Sequence, residues 1–295
     1  MSQTPVGVVG LGLVGRAIAG RLRAAGYAVL GFDVSGEACE AFAQAGGQPV
    51  RSAAEVGRGA KQVVLAVFET QDVISVLEGA QGLLSAGHQV GSVIDCSTGD
   101  PELLAALAGR LKARGVDFLE APLSGSSQQI AAGEATMLLG GETDAIHTCD
   151  GILSVISARR IHVGGAGMAA RAKLATNLVL GLNRAVLAEG MVFAQSMGIA
   201  PERFLELVLA TPARSDAAQT KGPLMVSGDF TPQSRIRQHL KDVELMLAGA
   251  RDSGVSLPFS EAHARLMRDA VRHGDGDLDN AAIIRQLRRG AEPRD

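Results

Sequence analysis

Tryptophan is absent from these 295 residues, tyrosine occurs once, and aromatic residues amount to 3%. So few rings argue against the stacking platforms on which single-stranded nucleic acids lie. Neither sign of charge dominates: 28 Lys and Arg face 31 Asp and Glu, a formal net charge of −3. Such a balance makes no long-range field to gather phosphate backbones or anionic lipid, so neither nucleic acid nor a membrane is an expected partner. Cysteine is scarce as well. Cys39, Cys96 and Cys149 are odd in number, far apart and free of any CxxC. That is neither a disulfide framework nor a zinc ribbon, and it fits a reducing compartment. Apolar stretches such as Val63–Phe68 are far too short to span a bilayer. Met1-Ser2-Gln3-Thr4-Pro5 does not read as a secretory signal. The expectation is a soluble, cytoplasmic protein.

What is abundant is apolar mass, 46% of residues, together with 37 glycines. The length suits one large domain or, better, two. The first half alternates short β-branched runs with Ala/Leu-rich segments. Strands are predicted at Pro5–Gly10, Ala28–Asp33, Gln62–Val67, Val90–Asp95 and Val116–Glu120. Helices are predicted at Leu13–Ala25, Gly36–Ala45, Thr70–Leu77 and Pro101–Arg114. Two further strands, Ala135–Leu139 and Arg159–Val163, flank a helix at Glu142–Ile156. Alternation of this kind implies βαβ units and a parallel sheet covered on both faces. After Gly167 the strands stop. One long helical pattern runs from Met168 to about Met197, followed by helices at Pro201–Ala210, Arg235–Ser253, Phe259–His273 and Asn280–Arg289. The fold class expected is an α/β dinucleotide-fold domain, residues 1–163, and an all-α domain, residues 164–295, joined by a long helix.

Val8-Val9-Gly10-Leu11-Gly12-Leu13-Val14-Gly15 contains Gly10-x-Gly12-x-x-Gly15. That spacing alone is a weak signal, but here it ends an apolar strand and opens a helix, as a dinucleotide fingerprint must. Gly10 permits the tight turn, Gly12 lets the backbone approach a pyrophosphate, and Gly15 lets the helix pack on the strand. Asp33 ends the second strand, where a carboxylate can accept from the adenosine ribose hydroxyls. Val34 and Ser35 offer no cation for a 2′-phosphate, so NAD is favoured, with NADP as the alternative. The competing role for Asp33 is a cap on the next helix.

Several chemistries are excluded by missing residues. Tyr27 is followed four residues later by Gly31, so no Tyr-x-x-x-Lys pair exists. No HExxH or His/Cys cluster is present, and no metal is expected. The candidate acids are lysines. Lys173 lies one or two turns into the long helix, with Asn177 four residues on and so on the same face. A lysine desolvated at a crevice can serve as general acid/base on an alcohol or carbonyl, and the asparagine amide can hold it or the substrate hydroxyl.

Taken together these residues resemble the β-hydroxyacid dehydrogenases, a family that includes 3-hydroxyisobutyrate dehydrogenase and tartronate semialdehyde reductase. The resemblance covers nearly the whole chain. Gly10–Gly15 looks like the family's cofactor turn. Asp95-Cys96-Ser97-Thr98-Gly99-Asp100-Pro101 is similar to its Asp-x-Ser-Thr-x-x-Pro motif, and Ala121-Pro122-Leu123-Ser124-Gly125 to its substrate motif. Gly167 through Asn177 resembles its Gly-x-Gly-x-x-x-Lys-x-x-Asn-Asn motif, and Lys241-Asp242 its late Lys-Asp pair.

The resemblance implies Lys173 as general acid/base and Ser124, Gly125 and Asn177 as ligands of the substrate carboxylate and hydroxyl. It implies Thr98 at the nicotinamide end, Val67 and Phe68 lining the cofactor cleft, and Lys241 closing the site near the cofactor. It implies a small carboxylate substrate, a 3-hydroxy acid interconverted with its semialdehyde or keto form, and a homodimer or homotetramer built through the helical domain. Four positions depart from the pattern: Ser126 and Ala169 replace glycines, Thr176 replaces an asparagine, and Phe68-Glu69 replaces Leu-Pro. An imine reductase-like enzyme and a catalytically idle NAD-binding sensor are the rival readings. Arg237 lies on the face of Lys241, four residues before it, and is a candidate for pairing with a second substrate anion.

Overall fold

The computed structural model describes residues 4–291. Nine strands are present: β1 Val6–Val9, β2 Val29–Phe32, β3 Gln48–Pro49, β4 Gln62–Leu65, β5 Ser92–Asp95, β6 Asp117–Glu120, β7 Leu123–Ser124, β8 Thr136–Gly140 and β9 Arg159–Gly164. The helices are α1 Leu13–Ala24, α2 Gly36–Gln44, α3 Ala53–Gly59, α4 Thr70–Glu78, α5 Pro101–Lys112, α6 Ser127–Ala132, α7 Thr143–Ile156, α8 Met168–Ser196, α9 Pro201–Ala210, α10 Asp216–Ser227, α11 Ile236–Asp252, α12 Pro258–Arg272 and α13 Ile283–Ala291. A short 3₁₀ turn, Asn280–Ala282, precedes the last.

The chain divides into two compact units, Met1–Lys173 and Leu174–Asp295, so the division falls inside α8 rather than at the glycine-rich stretch before it. In the first unit the strands lie in the order β3-β2-β1-β4-β5-β6-β8-β7, with β9 paired to β8. Pairing is parallel from β3 through β6, in register Val6–Val29 and Val6–Gln62 around the central β1. β1 and β4 are buried along their apolar residues, as strands covered on both faces must be. Alternation assigns the two faces. Val8, Val64, Ile94 and Leu119 pack with Ile18 and Leu22 of α1, whereas Val63, Leu65 and Val93 pack with Leu77 and Leu107. The chain reverses its winding direction between β1 and β4, which is where open α/β sheets bind ligands, outside the strand C-termini.

The second unit is helical. Its core gathers Leu187, Met191, Met225, Val243, Met246, Met267 and Ile284. Sequence patterning misses α3, α6, α10 and the two-residue strands β3 and β7. Strands of two residues carry no period to read, and α10 holds Gly222-Pro223 in its interior, a dipeptide that signals a break.

Candidate active site

The turn from β1 into α1 is built as the glycine spacing requires. Gly10 sits at φ 89°, and a side chain there would run into the carbonyl of Ala66 at the end of β4. A Cβ on Gly15 would collide with the Gly10 carbonyl oxygen. Gly12, by contrast, meets nothing within 4 Å of an added Cβ. Gly12 is also the N-cap of α1, with no side chain to cap the helix and no acid in its first turn. The helix N-terminus therefore keeps backbone N–H groups for an anion, and Leu11, Leu13 and Val14 supply the backbone around it.

Asp33 ties the end of β2 to this turn. Its Oδ2 accepts from Leu11 N–H at 2.6 Å and its Oδ1 from Ser35 N–H at 2.8 Å. The following helix is capped by Ser35, whose hydroxyl accepts from Ala38 N–H at 3.3 Å, so Asp33 is not the cap. Each carboxylate oxygen keeps acceptor capacity for a ribose hydroxyl. Val34, beside it, is 95% exposed. A dinucleotide fits these residues: an open helix terminus for its pyrophosphate, a carboxylate for its ribose, and no cation at positions 34 and 35.

Neighbouring strand ends are stitched together by their own side chains. The Ser97 hydroxyl accepts from Val67 N–H at 3.1 Å, and Asp95 accepts from Ser97 N–H at 2.9 Å. Asp100 caps α5, accepting from Glu102 and Leu103 N–H, with Pro101 in the first turn. This fixes the backbone that carries Thr98. Phe68 is 44% exposed, next to Val67 at the end of β4.

Lys173 is buried, 6% exposed, and its Nζ donates to the Leu123 carbonyl at 2.8 Å. That places the ammonium at the β7 strand, directly before Ser124-Gly125. Ser126, the departure from the family's glycine, caps α6: its hydroxyl accepts from Gln129 N–H, and Gln129 Oε1 accepts from Ser126 N–H at 2.8 Å. The start of α8 is held by Glu120 at the end of β6, whose carboxylate accepts from Gly167 and Ala170 N–H. Burial pushes the Glu120 carboxyl above the usual range, against the pull of those two N–H groups. Sequence reasoning gave Glu120 no role; a carboxylate closing a core strand was the available signal.

In the second unit Asn177 is buried and its Nδ2 donates to Asp242 Oδ2 at 2.9 Å. Asp242 also pairs with Lys241, Nζ to Oδ1 at 3.2 Å. Asp242 thus orients Asn177 and Lys241 together, a positioning role that its neighbour's charge had overshadowed. Arg237 does not enter this group. Its guanidinium lies at the surface, paired with Asp277 at 2.6 Å. The carboxylate it holds is one of the chain's own.

Residues 5–165 match the family profile described as the NAD binding domain of 6-phosphogluconate dehydrogenase. Residues 165–287 match that described as NAD-binding of NADP-dependent 3-hydroxyisobutyrate dehydrogenase. The chain belongs to the β-hydroxyacid dehydrogenase family. This dehydrogenase is 32% identical to L-threonate dehydrogenase of Cupriavidus necator over 281 residues, 95% of each chain. It is 28% identical to 2-(hydroxymethyl)glutarate dehydrogenase of Eubacterium barkeri, covering 95% of this chain and 93% of that one. The crystal structure of 3-hydroxyisobutyrate dehydrogenase from Salmonella typhimurium superposes with a TM-score of 0.86 at 25% identity, covering 96% and 99%. The dehydrogenase is accordingly an NAD(P)-dependent oxidoreductase acting on CH–OH groups of hydroxy acids.

Proposed function

We propose that Lys173 is the general acid/base of this dehydrogenase and that the substrate is a small 3-hydroxy acid, interconverted with its semialdehyde or keto form. The observation that carries the assignment is the buried Lys173 side chain, aimed by the Leu123 carbonyl at 2.8 Å onto the backbone of Ser124-Gly125. That hydrogen bond fixes the direction of an ammonium that can donate up to three. In oxidation the neutral amine takes the hydroxyl proton as the carbonyl forms; in reduction the ammonium returns it. The nicotinamide, when bound, accepts or donates the hydride. Gly10 to Gly15 and Asp33 would hold the dinucleotide, with Val67, Phe68, Thr98 and Lys241 toward its reactive end.

Ser124 and Gly125 offer a hydroxyl and backbone N–H groups to the carboxylate, a neutral cradle that does not compete with Lys173 for charge. Asn177, one helical turn from Lys173 and held by Asp242, presents its carbonyl to the substrate hydroxyl. The named relatives act on threonate and on 2-(hydroxymethyl)glutarate, which supports a short acid with more than one polar group. Asp33, with no cation at Val34 or Ser35, favours NAD over NADP. Val179, Val186 and Phe193, each more than half exposed, recur at seven-residue intervals along α8 and give a homo-oligomer an apolar seam. Three unpaired thiols suit the reducing cytoplasm. Turnover of a panel of 3-hydroxy acids with NAD, followed by nicotinamide absorbance, tests the reading. Reduction of NAD by at least one short acid, and its loss in Lys173→Ala, is expected; a panel with no turnover in either direction overturns it.

A further inference from the structure

Several helices of this chain are capped by the residue just before them: Ser35 on α2, Ser126 on α6 and Ser215 on α10 each accept from an N–H of the first turn. The helix that carries Lys173 is built differently. Its N-cap position is Gly167, at φ 86°, and an added Cβ there would lie 2.9 Å from the Pro101 carbonyl oxygen. Three residues on stands Ala170, which has no polar side chain either. A capping box supplies acceptors for the N–H groups of these two positions, one at the cap and one three residues in. Glu120 supplies both from the end of β6: one carboxylate oxygen accepts from Gly167 N–H and the other from Ala170 N–H, the second at 2.7 Å.

A carboxylate buried to 1% exposure is costly to a fold, and a cap at the surface would hold a helix end without that cost. What Glu120 adds is a fixed link between β6 and α8. Lys173 stands one turn beyond Ala170 on the same helix face, and helical side chains lean toward the N-terminus, so its stem runs back over the capped turn. There its Nζ meets the carbonyl of Leu123, three residues after Glu120, at 2.8 Å. The stretch between is pinned on both sides: Ala121 N–H donates to the Asp95 carbonyl at 2.7 Å, and the Pro122 carbonyl accepts from Leu138 N–H at 3.1 Å. Ala170 is buried in the same core cluster as Phe118 of β6. Residues 120–123 thus hold α8 at two points, its first turn and the tip of Lys173.

We infer that Glu120 is a positioning residue for Lys173: it ties the start of α8 to β6 and so sets where the Lys173 ammonium stands beside the Ser124-Gly125 backbone. This rests on the proposed role of Lys173 as general acid/base. Both carboxylate oxygens are engaged by backbone N–H groups, so Glu120 acts through the helix and not on the reacting atoms. Without it two N–H groups of the first turn are left unmet inside the protein, the turn shifts, and the lysine one turn on moves with it. A displacement of about 1 Å at a group that transfers a proton is enough to lower turnover about 100-fold. The dinucleotide residues Gly10–Gly15 and Asp33 keep their own contacts, Asp33 on Leu11 and Ser35 among them.

Two measurements on the full-length protein test the inference. The first is a double-mutant cycle on kcat, with NAD and the 3-hydroxy acid turned over best. Glu120→Gln, which sets an amide N–H against one of the two backbone donors, should lower kcat about 10- to 100-fold with NAD affinity unchanged. In a Lys173→Ala background the same change should lower kcat by no more than about twofold, because the group it positions is gone. Equal losses in both backgrounds would make Glu120 a residue of the fold alone and overturn the inference, with Lys173 still the acid/base. The second needs no turnover: acetylation of Lys173 by acetic anhydride, read by peptide mass spectrometry against Lys112, whose side chain is 71% exposed. Lys173 should react slowly in wild type and several times faster, relative to Lys112, in Glu120→Gln. Should Glu120→Gln fail to fold, Glu120→Asp, which keeps both oxygens and retreats by one methylene, should show both effects in smaller measure. A labelling ratio unmoved in the variant that folds overturns the inference. Near-normal turnover by Lys173→Ala would instead sink the acid/base reading, and a raised labelling ratio would then uphold the positioning by itself.

Discussion

The two units position polar groups in opposite ways. In the sheet unit, functional groups sit at strand ends and are held by short-range backbone contacts: Asp33 on Leu11 and Ser35, Ser97 on Val67, Ser126 on Gln129. Behind them the core is apolar on both faces of the sheet. In the helical unit, charges go into the interior itself, and Arg184, Lys221, His263 and Asp279 come from three separate helices and the loop before the 3₁₀ turn. A parallel sheet converges its strand ends on one edge, so chemistry can be placed there while the core stays dry. Packed helices have no such edge, and a polar site among them must be paired with opposite charges or a ligand.

Four tests sharpen or break this contrast. The largest effect belongs to the sheet unit. Lys173→Ala should lower kcat by 10²- to 10⁴-fold, the range of general acid/base catalysis, with NAD affinity by fluorescence titration nearly unchanged. Near-normal turnover would remove Lys173 from the mechanism. Next is the interior of the helical unit. Asp279→Ala strands Lys221 and three backbone N–H groups, and should cost about 3–5 kcal/mol in urea unfolding. An unchanged midpoint would mean that these buried charges are not coupled.

Acid should then separate the units by sign. His263 binds its proton only near 4 in the folded chain, against 6.5 ordinarily. The unfolded chain takes up that proton first, so stability is held above about pH 6.5 and falls as pH drops toward 4, by up to roughly 3 kcal/mol. Glu120 works the other way, because its raised carboxyl favours the protonated form: its contribution is complete below the ordinary glutamate range and lost as pH rises through the folded value. Unfolding midpoints from pH 4.5 to 7.5 should flatten in His263→Gln and steepen in Glu120→Gln; identical profiles would contradict both assignments. The smallest effect concerns the cofactor. Wild type should prefer NAD, and Asp33→Ala combined with Val34→Arg should shift the kcat/KM ratio toward NADP by about tenfold or more. A wild-type preference for NADP would contradict the role given to Asp33.

Much of the sheet unit was legible in advance. Gly10, Gly12 and Gly15 lie within six residues and answer to local backbone sterics, so their spacing carries its own meaning. The pair Lys173 and Asn177 is set by the helical repeat alone, whatever the rest of the chain does. The helical unit was legible only in outline. Arg184 reads as one more surface cation on a helix, and Arg237, the arginine that spacing picked out, is the one at the surface, paired with Asp277.

The sequence by itself determined the alternating strands and helices, the glycine turn, the carboxylate at the end of β2 and the lysine–asparagine face, because each depends on residues within a turn or a strand of one another. Only tertiary structure decided that Glu120 caps α8 from 50 residues away, that Asp242 orients Asn177 from 65 away, and that Lys221 claims Asp279 from 58 away. Those contacts depend on which helices pack together and at what register.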